Sequence, residues 1–237
     1  VYTFHMPIFL ILSGYLSRTD KSVKQFFVSF WWLFLPYSIM ELGYVQVASI
    51  IPVREHIGDL SIVNIIRTIL IEPVGPYWYL HTLLLCRTVH FTIVRLFQRK
   101  VDDFGLLIIL GLCFWGISQV AGLIVFSYSM FFWVGVSLRV LNFDFLTWFS
   151  PSAWSAVPLV ALCCFPENIG GFNLAGCAIV YLMVSFLLWA YTILPSPVVR
   201  VCTYVGKNTL CLLLFSPIFT MLSRMYLPLF MFEPTGI

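Results

Sequence analysis

Residues 104–126 read FGLLIILGLCFWGISQVAGLIVF, a run without one charged side chain. A helix advances about 1.5 Å per residue and the hydrocarbon core of a bilayer is about 30 Å thick, so roughly 20 such residues cross it. The rest of the chain is of the same kind. Of its 237 residues 61% are hydrophobic, 18% aromatic and only 10% charged, with a mean hydropathy of +0.98. Ordinary soluble domains carry about a quarter charged residues, and 13 Lys+Arg with 10 Asp+Glu cannot cover a chain of this size. A water-soluble globule is excluded, and the main solvent is lipid.

Charges and Pro/Gly clusters divide the apolar sequence into eight segments, near 1–16, 26–51, 76–97, 104–126, 128–143, 152–166, 172–194 and 204–227. The first is too short to span alone. Lipid offers the backbone no hydrogen-bond partners, and the alternating ten-residue pattern of an outer-membrane barrel is missing, so helices are required. The expected fold is all-α, a polytopic integral membrane helical bundle forming a single domain over 1–237. Residues 61–71 place Ile62, Ile65, Ile66, Ile69 and Leu70 at helical spacing, which predicts a helix lying on the membrane or dipping into it. The chain opens Val1-Tyr2-Thr3 with no Met, basic region or cleavage site, so it reads as a piece of a longer sequence and not as a signal peptide.

The net charge of +3 is small and its basic residues are scattered, which excludes nucleic acid as a partner. Seven cysteines lie in apolar runs without CxxC spacing, so neither disulfides nor a metal site is expected. Alternating the segments puts Arg18, Lys21, Lys24, Arg95, Arg99, Lys100, Arg139, Arg200 and Lys207 on one side. Arg54, Arg67 and Arg224 fall on the other, and Arg87 lies within a helix. The richer side faces the cytoplasm by the positive-inside rule.

Ionisable groups inside the bilayer cost a few kcal/mol and require a partner or a water-filled cavity. Glu41, His81, Arg87 and His90 are the candidates. Glu41 shares a helix face with Tyr37 and Tyr44, a polar stripe that must face protein or water. Arg87 and His90 share a face with Leu80 and Leu83, whereas Trp78 and His81 lie on another. Two readings of Glu41 and Arg87 stand side by side: a pair that fixes helix register, or the lining of a cavity for an anionic or polyhydroxyl ligand. His90, near the cytoplasmic end, reads as structural; His81, beside Trp78, suits a polar, aromatic-lined pocket. Ser13 and Gly14 would let another helix approach closely. His5, near the outer end of its helix, can serve as a general base. Lys207 and Asn208 read as an interfacial anchor opening the last helix.

Four stretches carry a family resemblance. Residues 4–16, FHMPIFLILSGYL, resemble the F-H-M-P-L-F-F-x-x-S-G-Y/F helix of the acyltransferase 3 family, in particular its fucose 4-O-acetylase-like branch. GPYWYL at 75–80 resembles the family's G-P-x-W-F-L, FFWVG at 131–135 its F-F-x-x-G, and VGKNTL at 205–210 its G-K/R-N-S-L. The resemblance spans nearly the whole chain. It implies a membrane enzyme with a domain of about ten helices, of which about eight are present here. Such enzymes transfer acyl groups, usually acetyl, from cytoplasmic acyl-CoA to hydroxyls of sugars, polysaccharides or lipid-linked glycans.

The family's first helix, with its basic residue and principal histidine, has no counterpart in this sequence. Where the family places R-x-x-x-R before the Pro-Tyr of the following helix, Ser29 and Leu33 stand before Pro36-Tyr37. Beside that missing histidine, the resemblance implies His5 and Ser13 as catalytic residues, Tyr15 and Trp78 as substrate-binding and Lys21 and Lys24 near the donor, and the intramembrane reading adds His81, Glu41 and Arg87 to the substrate-binding set. It implies no permanently bound cofactor, acyl-CoA being a donor substrate. Membrane lipid and a glycan acceptor are the implied partners, and the bacterial cytoplasmic membrane the implied location. The competing reading is a transporter or flippase-like protein using Glu41 and Arg87, or an inactive remnant.

Overall fold

A computed structural model describes residues 4–18, 22–50, 61–73, 77–98, 100–168 and 172–230, the side chains at 48–50, 166 and 220–230 excepted. Lys21, Arg54, Arg99, Gly75, Pro76 and residues 52–60 and 74 of the 52–75 connection lie outside the described residues. Among the described residues the chain is entirely helical. In order come α1 (His5–Tyr15), α2 (Val23–Ile50), α3 (Ile62–Leu70), α4 (Trp78–Phe97) and α5 (Asp103–Gly116). They are followed by α6 (Phe126–Val140), α7 (Phe145–Trp148), α8 (Ala156–Cys163), α9 (Leu174–Ile193), α10 (Ser196–Lys207) and α11 (Thr209–Phe230).

Four described helical stretches are long and apolar enough to cross a membrane: Val23–Val47, Trp78–Phe97, Asp103–Ala121 and Leu174–Ile193. α10 and α11 make a fifth if taken together, although they are bent by 77° at their break. Among the described residues helix length thus supports four or five crossings and does not confirm the count of eight. α1 has 11 residues and α6 has 15, about 17 and 23 Å of helix. The apolar run at 104–126 is also divided. It leaves the α-helix for a π-helical turn at Ile117–Ala121, and Gly122 then takes the left-handed conformation at φ +63°, where a side chain would be strained. The helix expected over 61–71 is α3.

The chain forms two compact units, Val1–Val28 with Thr82–Ser196, and Ser29–His81 with Pro197–Ile237. In the first, α1 and α6 pack through their backbones. A Cβ on Gly14 would run into the Phe132 carbonyl oxygen, and one on Gly135 into that of Ile11. Lipid tails are as apolar as leucine, so helices in a bilayer gain little by hiding apolar surface from lipid and associate through close packing instead. These two glycines permit that packing, and Leu10, Ile11, Phe132 and Val136 are buried around them. Gly111 plays a milder part: beside it the Trp133 indole N–H donates to the Leu107 carbonyl at 2.8 Å.

In the second unit α2 buries Leu33, Tyr37, Glu41 and Val45, four residues apart on one face. Trp31, Trp32, Leu35 and Ile39 of the same helix are exposed, as a lipid-facing surface requires. α3 exposes Ile62, Val63, Ile66 and Leu70 together with Arg67, while Asn64, Ile65, Thr68 and Ile69 are half-buried.

Candidate functional site

The first unit gathers cationic side chains around an open space. Ser13 sits in the last turn of α1, and Ser17 and Arg18 follow directly after that helix. Arg87 and His90 are three residues apart on α4, so they project from neighbouring turns of one face. Together with Leu83, Phe26 and Phe91 they line a cavity of ≈ 240 Å³. The two phenyl rings form one wall, stacked at 4.0 Å between centroids and nearly parallel. A second cavity of ≈ 400 Å³ shares Ser17, Arg18 and His90 and adds Arg139 from the last turn of α6.

Geometry holds several of these groups in place. His90 is buried, its Nδ1 shares a hydrogen bond with Ser17 Oγ at 3.1 Å, and its ring stands edge-on to Phe132. Arg139 lies over the Tyr15 ring with its guanidinium carbon 5.9 Å from the centroid, a cation–π arrangement. Tyr15 in turn packs on Phe145. Three guanidinium groups therefore border the two cavities, and among the described residues neither lining includes a carboxylate. Hydroxyls and an imidazole complete the polar surface. Such a site suits a ligand with several negative charges, because arginine forks match phosphate oxygens in pairs.

The second unit treats its polar groups differently. The last carbonyls of a helix have no partner within it. Those of α3 are met by side chains: Tyr37 OH donates to the Ile69 carbonyl and His81 Nε2–H to the Leu70 carbonyl, each at 2.9 Å. Tyr77 OH donates to the Leu214 carbonyl at 2.8 Å, and its ring meets that of Tyr44 edge-on. Glu41 is fully buried. Tyr37 and His81 thus tie α3 to α2 and α4.

The residues predicted from the sequence are distributed accordingly. Ser13 and Arg87 share a cavity lining, whereas His5 stands at the start of α1, eight residues or about 12 Å of helix from Ser13. The His5 ring meets Phe4 edge-on. Tyr15 supports Arg139 and is not among the cavity-lining residues. Trp78, His81 and Glu41 belong to the other unit. Trp78 is half-buried with its ring edge-on to Tyr79, and His81 is occupied by its backbone bond. Lys24 is exposed in the first turn of α2, and Lys21 lies outside the described residues.

Lys207 does not open the last helix. It ends α10, and Asn208 sits at the bend with its side-chain amide donating to the Tyr204 carbonyl at 2.8 Å. Sequence reasoning also passed over Arg18, Arg139, Ser17 and His90. The first two served only as topology markers and His90 as a structural group. The one available signal was the shared face of Arg87 and His90.

A family model described as an acyltransferase domain, that of the acyltransferase 3 family, matches residues 1–237. No curated protein and no solved structure matches the chain.

Proposed function

The chain belongs to the acyltransferase 3 family, and from that premise we propose that it serves as a membrane O-acyltransferase that takes an acyl group, acetyl by family default, from acyl-CoA. The acceptor is a hydroxyl of a sugar, polysaccharide or lipid-linked glycan. The observation that carries this reading is the pair of joined cavities bordered by Arg18, Arg87 and Arg139, with Ser13, Ser17 and His90 between them. Donor binding needs positive charge for the phosphates of coenzyme A, and these guanidiniums supply it where the family's R-x-x-x-R is replaced by Ser29 and Leu33. Lys21 and Lys24 then attract the donor without gripping it, since an ammonium is a mobile point charge.

In the reaction the acceptor oxygen attacks the thioester carbonyl. The carbon–oxygen bond forms, the carbon–sulfur bond breaks, and the coenzyme thiolate leaves as the hydroxyl proton passes to a base. In our reading the family's principal histidine, which this sequence does not include, is the base, and His5 and Ser13 are this chain's own residues at the catalytic pocket beside it. By the distribution of Lys and Arg, the arginine-lined end of the first unit faces the cytoplasm, where acyl-CoA is made, in a bacterial cytoplasmic membrane.

The test is acyl-CoA-dependent glycan acylation by the full-length protein in proteoliposomes. Arg87→Gln is expected to raise the KM for acyl-CoA while the amount of folded protein stays unchanged. A new ester on the glycan separates this reading from a carrier that moves substrate without covalent change. Transport of glycan with no ester formed overturns it.

A further inference from the structure

α10 (Ser196–Lys207) is a helix whose apolar side is exposed among the described residues. Val198, Val201, Cys202 and Val205 recur at the i, i+3, i+4, i+7 spacing that makes one stripe. Ser196, Arg200, Thr203 and Lys207 fall on the opposite side. All of its residues but the half-buried Val199 are exposed. Val201 is 63% exposed, and Cys202 is an exposed free thiol. A valine stripe this open would be costly in water.

The neighbouring geometry says what covers it. α10 meets α11 at 77°. α11 is apolar, with Leu212, Phe215 and Phe219 exposed; with α11 taken as the crossing segment, a helix nearly perpendicular to it runs along the membrane plane. Asn208 marks the corner. Its amide bond to the Tyr204 carbonyl and the Thr209 hydroxyl bond to the Gly206 carbonyl, both 2.8 Å, satisfy backbone groups freed where the helix breaks. Arg200 and Lys207, on the side away from the stripe, then stand at headgroup level.

We propose that α10 is an interfacial helix that lies in the membrane surface, with Val198, Val201, Cys202 and Val205 in the acyl-chain boundary and Arg200 and Lys207 against anionic lipid headgroups. The occupant of the apolar face is lipid, continuous with the lipid around α11. The charge pattern fits, since interfacial helices combine apolar insertion with basic residues drawn to anionic headgroups. The Gly206-Lys207-Asn208 motif is then the hinge between an in-plane helix and a crossing one. This assignment does not depend on acyltransferase activity.

The experiment places a bimane fluorophore on Cys202 of the full-length protein, the other cysteines being replaced by serine, in vesicles of phosphatidylcholine with about 30% phosphatidylglycerol. Lipids carrying a nitroxide high on the acyl chain are expected to quench it about threefold more strongly than they quench bimane on Thr203→Cys in a Cys202→Ser background. Equal quenching at the two positions, or none at Cys202, overturns the proposal, and protection of Cys202 from both lipid and aqueous quenchers would mark a protein partner instead.

A second measurement uses the chain with its own cysteines. Amide hydrogen exchange over 196–207 in nanodiscs is expected to slow when phosphatidylglycerol is added. The effect is expected to disappear in Arg200→Gln/Lys207→Gln. Exchange indifferent to anionic lipid overturns the charge-based part of the proposal.

Discussion

The two compact units each hold a cluster of polar side chains within apolar helices, and the clusters differ in what those side chains touch. In the unit containing α3, Tyr37, Tyr77 and His81 give their hydrogen bonds to backbone carbonyls of Ile69, Leu214 and Leu70. In the unit containing α1 and α6, Arg18, Arg87, Arg139 and His90 border open cavities. An ionisable or hydroxyl group in a bilayer requires compensation in either case. In the α3 unit that compensation comes from backbone carbonyls and ties helices together; in the other, side chains such as Ser17 beside His90 and Tyr15 beneath Arg139 share it with the cavity those groups border.

The sharpest way to break the comparison is to destroy the platform of the cationic cluster. Gly14→Ala and Gly135→Ala each force a methyl group against a backbone oxygen that cannot rotate away. Each is expected to lower stability by about 1–3 kcal/mol or more, in the range of overpacked cores. Gly135→Leu is expected to abolish the folded state. Detergent-solubilised yield and thermal unfolding followed by size-exclusion chromatography measure this, and wild-type melting of both alanine variants would refute the close packing of α1 on α6.

Next in size is Arg87→Gln, which removes a partly buried guanidinium from the cavity. With about 1.5–3 kcal/mol for a hydrogen bond to a charged group, the KM for acyl-CoA is expected to rise about 10- to 100-fold without loss of melting temperature. Tyr37→Phe and His81→Phe sharpen the contrast from the other side. Each leaves one carbonyl at the end of α3 without its donor, an expected loss of about 0.5–1.5 kcal/mol of stability. The KM for the donor is expected not to change. A large rise in donor KM with unaltered stability in His81→Phe would move His81 from the tether to the site. The smallest effect is expected for Lys24→Gln, whose exposed side chain is outside the cavity lining: less than about a twofold change in donor KM at physiological salt, where exposed charges are screened.

Much of this architecture was legible in the sequence because lipid imposes a simple rule. The uncharged run at 104–126 and the face shared by Ile62, Ile66 and Leu70 are local patterns, and helices form near the places they predict. Ser13-Gly14 announced a close helix approach for the same reason, since only small residues permit it. The shortness of the first segment was legible, while the corner at Asn208 was not. The polar Gly206-Lys207-Asn208-Thr209 stretch marks an interruption, but the backbone bonds that turn the helix there involve Tyr204 and Gly206 carbonyls, which composition does not reveal.

The site was half legible. Arg87 and His90 share a face that helical spacing displays, and Ser13 belongs to the quoted motif. Arg18 and Arg139 lie at the ends of separate helices and meet the others only through the packing of α1 on α6. Lys24 looked equivalent to Arg18 in a charge count, yet one residue borders the cavity and the other faces outward. His81 carried the same intramembrane signal as Arg87, and only the position of the Leu70 carbonyl distinguishes a tether from a ligand-facing group.

The central claim is that the cationic cavity of the first unit binds the donor, and coenzyme A binding to the full-length protein tests it most directly. A ligand that binds the folded state alone raises the melting temperature as its concentration exceeds the dissociation constant. The account predicts a concentration-dependent rise with coenzyme A for the wild-type protein and for Tyr37→Phe, and its disappearance in Arg18→Gln/Arg87→Gln. An undiminished rise in the double arginine variant would contradict it.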